Sequence, residues 1–361
     1  MSSHRIARVA AAAFSLVGIA SGALAASYTM GDFTHVRKFD AHVHDNVADD
    51  TLLSVARADN FEVLSINVDY PDFPSLQVQQ EVAHQLQARD PARFHFATTF
   101  SMQGFGQPGW AEAVNQHIAA EKANGALAVK IWKNVGMVAV DAQGKRIYID
   151  NPGFDPVIAK MIALNLPLIA HQGEPKDCWL PLDQMMTAGD REYFTAHPNY
   201  YAYRHPELAS YETLMAARDR FVARHPGLSF VGAHMASLEW SIDRLAKFFD
   251  RYPNATVDLA ARMAQVQYQS ARNPDKVRKF FIKYQDRLLY GTDLTQNPDD
   301  DPKTFGPSAD SFWRSDWRYL ATGQTQYIDD LKARVRGLAL PRSVIDKIYY
   351  ANARKVFHLA G

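Results

Sequence analysis

The stretch FDAHVHDN, residues 39–46, begins as an apolar run typical of a β-strand and ends with two histidines one residue apart. Successive side chains of a strand point to opposite faces, so His42 and His44 project from the same face. Neutral imidazole is the commonest protein ligand for zinc and similar ions. The pair therefore indicates part of a metal site, and two surface histidines at a strand end are the alternative. A metal site needs further ligands elsewhere in the chain.

Eight apolar runs predict β-strands, and segments with helical periodicity lie between them. Strands that alternate with helices indicate a parallel sheet, and runs that are apolar at nearly every residue indicate strands covered on both faces. Eight such units in 361 residues predict the α/β class and a single (β/α)8 barrel of the TIM type. An open doubly wound sheet is the alternative, but no glycine-rich fingerprint follows the first run. The predicted strands are residues 39–44, 63–70, 94–100, 126–132, 166–172, 228–235, 255–260 and 288–294.

Four helices and two long loops are also predicted. The helices cover residues 76–89, 110–124, 156–164 and 210–224, and the loops, residues 173–209 and 295–316, follow the fifth and eighth strands. Loops at the carboxyl ends of barrel strands build active sites, so both loops are candidates for a substrate pocket or a lid. Their aromatic content favours a pocket wall or a subunit contact over a surface insertion without a role.

Composition and the N-terminus limit the classes of function. Lys plus Arg and Asp plus Glu both number 39, which leaves no net charge to attract nucleic acid or an anionic membrane surface. The first 25 residues combine basic side chains, an apolar stretch and the small-x-small site Ala23-Leu24-Ala25, as Sec-type signal peptides do. A membrane anchor is the alternative, but Ser and Gly interrupt the apolar stretch.

We therefore expect cleavage of residues 1–25 and a mature protein that is periplasmic or secreted and not held in the membrane. Residues 33–361 are predicted to form one metal-dependent domain. Cys178 is the only cysteine, so no intrachain disulfide can form, and stability depends on packing and on any bound metal. The sequence leaves open whether the chain forms a homo-oligomer.

Three further polar side chains stand at the ends of predicted strands. His171 ends the fifth strand in PLIAHQGEP, His234 the sixth in FVGAHM and Asp293 the eighth in LLYGTDL. A single histidine beside an apolar run is more often a hydrogen-bonded core residue. Together with His42 and His44, however, all three fall at the end of the strands where a barrel places its active site. The set therefore predicts a metal site there.

The motifs FDAHVH, LIAHQGEP, FVGAHM, LLYGTDL and YYANARKVF, in this order, resemble those of the amidohydrolase superfamily in its amidohydrolase-related (amidohydrolase 2) branch. The resemblance extends from residue 39 to the C-terminus. It implies a distorted barrel with a divalent metal, usually zinc, whose ligands are His42, His44, His171 and Asp293. It also implies that His234 lies close by, as a polarising acid or a ligand. Because this branch usually holds a single metal, we expect one Zn²⁺ per chain.

The chemistry of these residues agrees with the resemblance. A divalent ion lowers the pKa of bound water toward about 7 and polarises a carbonyl group. Asp293, which a neighbouring cation keeps ionised, is then the candidate general base for that water. A protonated His234 is the candidate group that stabilises an oxyanion or protonates the leaving group.

Four other residues are candidates for substrate binding: Lys130, Arg262, Glu174 and Trp179. Lys130 ends the fourth strand, where many binuclear members of the superfamily use a carboxylated lysine to bridge two metals, which this branch usually lacks. The lysine either binds a substrate carboxylate or is a structural side chain whose amine reaches solvent. Arg262 follows the seventh strand and is a second candidate for an anionic substrate. Glu174 either orients a ligand or is a simple loop residue.

Members of this branch include hydrolases, lactonases, decarboxylases and hydratases, so the resemblance does not decide the reaction. We predict a metal-dependent hydrolase that cleaves a C–O or C–N bond of a lactone, ester or amide in a small molecule, and the sequence leaves open whether that substrate carries a carboxylate. The first alternative is a nonoxidative decarboxylase, a carbon–carbon lyase, that uses the same site. The second is a catalytically silent barrel that acts as a binding protein, and the intact His171 and Asp293 speak against it.

Overall fold

A computed structural model of the chain describes residues 26–359. The predicted signal peptide, residues 1–25, lies outside the described residues. Within them, nine strands form one parallel sheet, and two more form a separate antiparallel hairpin. The sheet contains β1 (Lys38–Asp45), β2 (Phe61–Ile66), β3 (Phe94–Thr99), β4 (Ala128–Ile131), β5 (Leu168–Ala170), β6 (Phe230–Gly232), β7 (Ala255–Asp258), β8 (Leu288–Leu289) and β9 (Leu294–Gln296), and the hairpin contains β10 (Thr325–Ile328) and β11 (Ala333–Arg336).

Helices connect the strands. They are α1 (Thr51–Ala58), α2 (Leu76–Arg89), α3 (Trp110–Ala123), α4 (Asn134–Met137), α5 (Asp155–Ala163), α6 (Ala188–Ala196), α7 (Tyr211–Arg224), α8 (Ala233–Ala236), α9 (Ile242–Arg251), α10 (Met263–Arg272), α11 (Pro274–Lys283), α12 (Pro302–Ala321), α13 (Arg342–Asp346) and α14 (Asn352–Val356). The four predicted helices are confirmed as α2, α3, α5 and α7, with ends that differ by at most one residue. In residues 26–359, no helix has both the length and the apolar composition that crossing a membrane requires.

The order of the strands shows that the sheet is curled. It runs β8-β7-β6-β5-β4-β3-β2-β1-β9, and every neighbouring pair is parallel. β8 and β9 are consecutive in the chain, yet they lie at opposite ends of this order. The segment that contains them therefore contacts β7 at its start and β1 at its end. The predicted α/β class and parallel sheet are confirmed.

The predicted eighth strand, residues 288–294, is split, and its continuity was predicted wrongly. Asp293 has a left-handed backbone conformation with φ of 69°, which interrupts an extended strand. The amide and hydroxyl of Thr292 donate hydrogen bonds to the two carboxylate oxygens of Asp40, at 3.1 and 2.6 Å. The Asp40 side chain thus accepts the hydrogen bond of the Thr292 amide, which in a continuous strand would go to a neighbouring strand.

An inner apolar cluster fills the concave side of the sheet. Its members come from β1–β6, β8, the start of α8 and the C-terminal segment that contains α14: Phe39, Ala41, Leu64, Ile66, Ala97, Ala128, Ile169, Val231, Ala233, Leu289, Ala353 and Phe357. The rings of Phe39 and Phe357 stack with their centroids 6.1 Å apart. Because Phe39 lies near the start of β1, the YYANARKVF segment closes the end of the sheet opposite to the one that holds His44.

The two predicted long loops contain helices. Residues 173–209 include α6, whose Thr187 side chain accepts a hydrogen bond from the Asp190 amide at 3.0 Å. Most of residues 295–316 belong to α12, so the second loop was predicted wrongly. Asp301 caps this helix by accepting a hydrogen bond from the Lys303 amide at 3.0 Å. Gly and Pro inside the first turns of α12 conceal its helical pattern in the sequence.

Candidate metal centre

The first strand carries its two histidines on an irregular stretch, so the regular alternation from which their shared face was predicted does not hold there. The register of β1 against β2 shifts between Asp40 and Val43. Ala41 belongs to the inner apolar cluster, whereas Val43, two residues later, packs in the outer core between the sheet and the helices. A regular strand would point both side chains to one face. His44, the neighbour of Val43, therefore faces inward, and its ring centroid lies 5.2 Å from that of His42.

Both histidines of β1 face the carboxylate of Asp293. Its Oδ1 lies 3.3 Å from Nε2 of His42 and 3.2 Å from Nε2 of His44. The Nδ1–H of His42 donates to Oδ2 of Asp258 at 2.9 Å, and that of His44 donates to the carbonyl of Ile66 at 2.7 Å. In the neutral rings both Nε2 atoms are then hydrogen-bond acceptors. Three acceptor atoms that face one another repel unless a donor or a cation, such as the amine of Lys130 or a metal ion, lies among them.

The separations of these three atoms fit a metal ion. Ligand atoms at 2.0–2.2 Å from tetrahedral zinc lie about 3.3–3.6 Å apart, and the observed separations are 3.2 and 3.3 Å. His42, His44 and Asp293 form one group of potential ligands in which all ligand atoms lie within 4.8 Å of one another. A second such group, His42, His234 and Asp258, overlaps the first at His42.

His171 and His234 complete a cluster of four imidazole rings. His171 follows β5, and His234 lies in α8 with a left-handed φ of 56°. Their ring centroids are 4.2 Å apart, and those of His234 and His42 are 4.8 Å apart. His171 lies outside both ligand groups, but its Nε2 is buried and has no hydrogen-bond partner among the described residues. A buried nitrogen without a hydrogen-bond partner costs folding free energy, and coordination of a metal ion removes that cost.

Burial and neighbouring charges set the protonation states that a metal requires. Burial, with His234 as a lesser cause, holds the pKa of His171 well below 6.5, and burial also lowers the pKa values of His234 and His42. Burial alone would raise the pKa of Asp293, but the electrostatic influence of His234, His44 and His42 holds it well below its usual range. Neutral imidazoles and an ionised carboxylate are the forms that bind metals.

Sequence reasoning missed Asp258, the last residue of β7. Its Oδ1 accepts a hydrogen bond from the backbone amide of His234 at 2.7 Å, while its Oδ2 binds His42. Burial alone would raise its pKa, but the charges and hydrogen bond of these histidines hold the pKa below its usual range. The sequence does show a carboxylate within the predicted seventh strand, in TVDLAA, and this was the one signal that could have identified it.

Lys130 lies inside the cluster. Its amine is buried and sits 3.3 Å from Nε2 of His42. Burial lowers the pKa of the amine to about 8. The amine of Lys130 therefore lies beside the first ligand group, and burial makes its protonated form less stable.

The other substrate-binding candidates occupy different places. Glu174 is buried and forms an ion pair with Lys133. Nη1 of Arg262 donates to the carbonyl of Ala261 at 2.8 Å. The indole N–H of Trp179 donates to the carbonyl of Ala209 at 3.1 Å. Among the described residues, the lining of the cavity next to the histidine cluster does not include Glu174, Arg262 or Trp179.

That cavity has a volume of about 190 Å³. It exposes the candidate ligands His44, His171 and Asp293, but not His42, together with two lysines and several aromatic rings. The lining residues are His44, Val68, Tyr70, Phe73, Lys130, Trp132, Lys133, His171, Tyr193, His234, Asp293 and Thr295. A small polar molecule that enters this cavity meets the ligand cluster directly.

Three solved structures are similar to this chain, and the two with a TM-score above 0.5 share its fold. A 2,6-dihydroxybenzoate decarboxylase from Rhizobium matches with a TM-score of 0.53 and 15% identity over 90% of this chain and 100% of that chain. A 2,6-dihydroxybenzoate decarboxylase complexed with 2,6-dihydroxybenzoate matches at 0.52 and 15%, with the same coverage. A 4-oxalomesaconate hydratase from Rhodopseudomonas palustris matches at 0.49 and 12%, over 89% of this chain and 95% of that chain.

The family comparison covers nearly the whole described chain. A search of curated proteins returns no match. The model of the Amidohydro_2 family, described as amidohydrolase, matches residues 39–359, which include every candidate ligand. This family is typically metal-dependent, in agreement with the cluster of histidines and aspartates. The chain therefore belongs to the amidohydrolase 2 branch of the amidohydrolase superfamily, and it is an enzyme.

Proposed function

We propose that the chain uses a divalent metal to hydrolyse a C–O or C–N bond, in a lactone, ester or amide, of a small carboxylate-bearing molecule. One observation supports this proposal most strongly: the Nε2 atoms of His42 and His44 face Oδ1 of Asp293 at 3.3 and 3.2 Å. The proposal includes a distorted (β/α)8 barrel over residues 33–361. It also includes removal of residues 1–25 and a periplasmic or secreted mature enzyme.

His42, His44 and Asp293 would hold the ion, and His171, with its unpaired Nε2, is the proposed fourth ligand. We propose one Zn²⁺ per chain. When bound, such an ion lowers the pKa of a coordinated water and polarises the bond that reacts. Each histidine of β1 presents Nε2 because its Nδ1–H is already donated, to Asp258 or to the carbonyl of Ile66. The protein thus orients the ligands before the ion arrives.

Asp293 and His234 are the proposed proton carriers. Asp293 is ionised, and its carboxylate accepts the proton of the attacking water. His234 donates its Nδ1–H to the carbonyl of Ala260 at 3.0 Å, which leaves Nε2 as the nitrogen that can take up and release a proton. The low pKa of the buried ring makes its protonated form a strong acid toward the leaving group. Both side chains line the same cavity.

Charge in the cavity favours a carboxylate-bearing substrate. The amines of Lys130 and Lys133 belong to residues that line it, and the partner of Lys133 is Glu174. Lys130 has no carboxylate within salt-bridge distance among the described residues. We therefore assign Lys130 to the substrate carboxylate and Glu174 to the positioning of Lys133. Arg262 and Trp179 are assigned no direct contact with the substrate.

A nonoxidative decarboxylase is the second candidate, and the position of Lys130 favours it. A buried amine with a pKa of about 8 can hold a carboxylate beside the metal ligands and supply a proton to the carbon that loses carbon dioxide. The same residues thus serve either reaction. A silent binding protein would not require an ionised carboxylate at the centre of the ligand group.

The test is turnover by the zinc-loaded enzyme on a panel of lactones, esters, amides and aromatic carboxylates. Hydrolysis is followed by proton release and decarboxylation by carbon dioxide release. We expect metal-dependent turnover of a carboxylate-bearing member and its loss on chelation. An enzyme that binds no divalent metal, or that turns over equally with and without it, would overturn the proposal.

A further inference from the structure

A second cavity adjoins the one at the metal ligands. It has a volume of about 270 Å³, and Tyr70, Trp132 and Lys133 line both cavities. The other walls of this outer cavity include Met137, Val138 and Leu208. The three shared wall residues place the two cavities side by side, as the inner and outer compartments of the proposed pocket. The inner compartment holds the polar chemistry, and the outer compartment is bounded largely by aromatic and aliphatic side chains.

The outer compartment is built by residues from separate parts of the fold. The rings of Tyr70, after β2, and Trp132, after β4, lie with their centroids 4.6 Å apart. Oδ2 of Asp72 accepts hydrogen bonds from the hydroxyls of Tyr70, at 2.5 Å, and Tyr200, at 3.3 Å. Asp72 thereby ties the loop after β2 to the loop after β5. The aromatic wall is held in place without a ligand.

Lys133 stands at the junction of the two compartments. Its amine forms an ion pair with Glu174, another wall residue of the outer compartment, and lies 5.5 Å from the centroid of the Trp132 ring. The ion pair neutralises the charge of the amine. An apolar group can therefore pass the junction without facing an unpaired charge.

Volume decides what the pocket can accept. Small-molecule pockets have volumes of about 300–1,000 Å³, and the inner compartment of about 190 Å³ falls below that range. With the outer compartment of about 270 Å³ the pocket falls within it. A substrate that fills only the inner compartment would leave the aromatic wall exposed to water.

We propose that the outer compartment binds the aromatic end of the substrate, while the carboxylate end reaches Lys130 and the metal ligands. This inference rests on the proposed function and narrows it to carboxylates that carry a flat apolar group beyond the reacting centre. Val138, at the rim of the outer compartment, then determines which apolar groups the substrate can carry, and the metal ligands do not.

The test compares two carboxylates as probes, benzoate and biphenyl-4-carboxylate, by calorimetric titration of the full zinc-loaded chain. The second ring of biphenyl-4-carboxylate requires the outer compartment. Val138→Trp fills that compartment from its rim. Val78→Trp is the matched control, because Val78 is also exposed, 42% against 61% for Val138, and lies in α2 outside this pocket.

We expect the wild type to bind biphenyl-4-carboxylate at least tenfold more tightly than benzoate. Val138→Trp should remove this preference while benzoate affinity stays within twofold, and Val78→Trp should change neither affinity. Equal affinities in the wild type, or equal losses of affinity for both acids in Val138→Trp, would overturn the role of the outer compartment. The proposed carboxylate-bearing substrate would not be affected by either result. If neither acid binds, both this inference and the proposed carboxylate-bearing substrate fail.

Discussion

The side chain of Asp258 orients His42, although 216 residues separate them: Nδ1–H of His42 donates to Oδ2 of Asp258 at 2.9 Å. Oδ1 of the same carboxylate accepts the backbone amide of His234 at 2.7 Å. One buried carboxylate therefore fixes the ring of one histidine and the main chain of another. It leaves Nε2 of His42 unprotonated and directed at Asp293, which is the arrangement that a metal ligand needs.

Asp258→Asn should weaken metal binding by roughly 10–100-fold. An amide nitrogen in place of Oδ2 cannot accept the proton of His42, so the ring turns or changes tautomer. Competition with a chromophoric zinc chelator measures the affinity. Asp275→Asn, an exposed change in α11, is the control and should bind zinc like the wild type. Unchanged affinity in Asp258→Asn would show that the carboxylate does not orient His42.

Two histidine substitutions should differ in their effect on metal. His171→Ala should lower zinc affinity more than tenfold, since the three remaining ligands hold the ion less well. His234→Asn should keep the metal, while turnover falls by roughly 10²–10⁴-fold if the ring acts as an acid. Metal content and turnover are measured on the same preparations. Wild-type affinity in His171→Ala would remove His171 from the ligand set.

Asp293→Asn should separate metal binding from catalysis. The amide oxygen still offers a weak ligand, but it does not take the proton of the attacking water. We expect much of the metal to remain and most of the turnover to be lost, with the same substrate and at saturating zinc. Normal turnover by this variant, on any substrate that the wild type accepts, would end the assignment of Asp293 as the base.

The buried carboxyl of Asp316 should make stability depend on pH. Burial raises its pKa from 3.8 to about 7, while the hydroxyl of Tyr290 donates to it at 3.0 Å. The folded state therefore binds this proton more tightly than the unfolded state does. The resulting stability is fully present below about pH 3.8 and is lost as the pH rises through about 7.

Asp316→Asn does not ionise and keeps an oxygen that can accept from Tyr290. Relative to the wild type, its free energy of unfolding should rise between pH 4 and pH 8, by up to about 4 kcal/mol. Denaturant unfolding of both metal-saturated proteins at several pH values gives this difference, and Asp299→Asn at an exposed position serves as the control. A difference that does not change with pH would place the titration elsewhere.

Local pattern was enough to predict the parallel strands, four of the helices and much of the candidate site. The alternation of apolar runs with helices indicated the parallel α/β sheet, and the four helix positions followed from periodicity. Polar residues at strand ends identified the histidines and Asp293, because parallel strands end at one edge of a sheet. Two histidines on one strand end were the strongest single signal.

Features that depend on distant partners were not predictable. The split of the eighth strand depends on the bond between Asp40 and Thr292, which are 252 residues apart. α12 is hidden because Gly306 and Pro307 interrupt a helical pattern that tertiary packing supports. The sequence does not distinguish Asp258 from the other carboxylates of the chain. Its role depends on the packing of β7 beside β6 and on the hydrogen bond that it accepts from the backbone amide of His234.

The position of the metal tests the central claim most directly. Anomalous diffraction at the zinc absorption edge, from crystals of the full zinc-loaded chain, locates every bound zinc ion. We expect a single peak, with Nε2 of His42 and His44 and a carboxylate oxygen of Asp293 at about 2.0–2.2 Å and His171 as the fourth ligand. Two peaks bridged by a carboxylated Lys130, or a peak whose ligands exclude His42 and Asp293, would contradict the account.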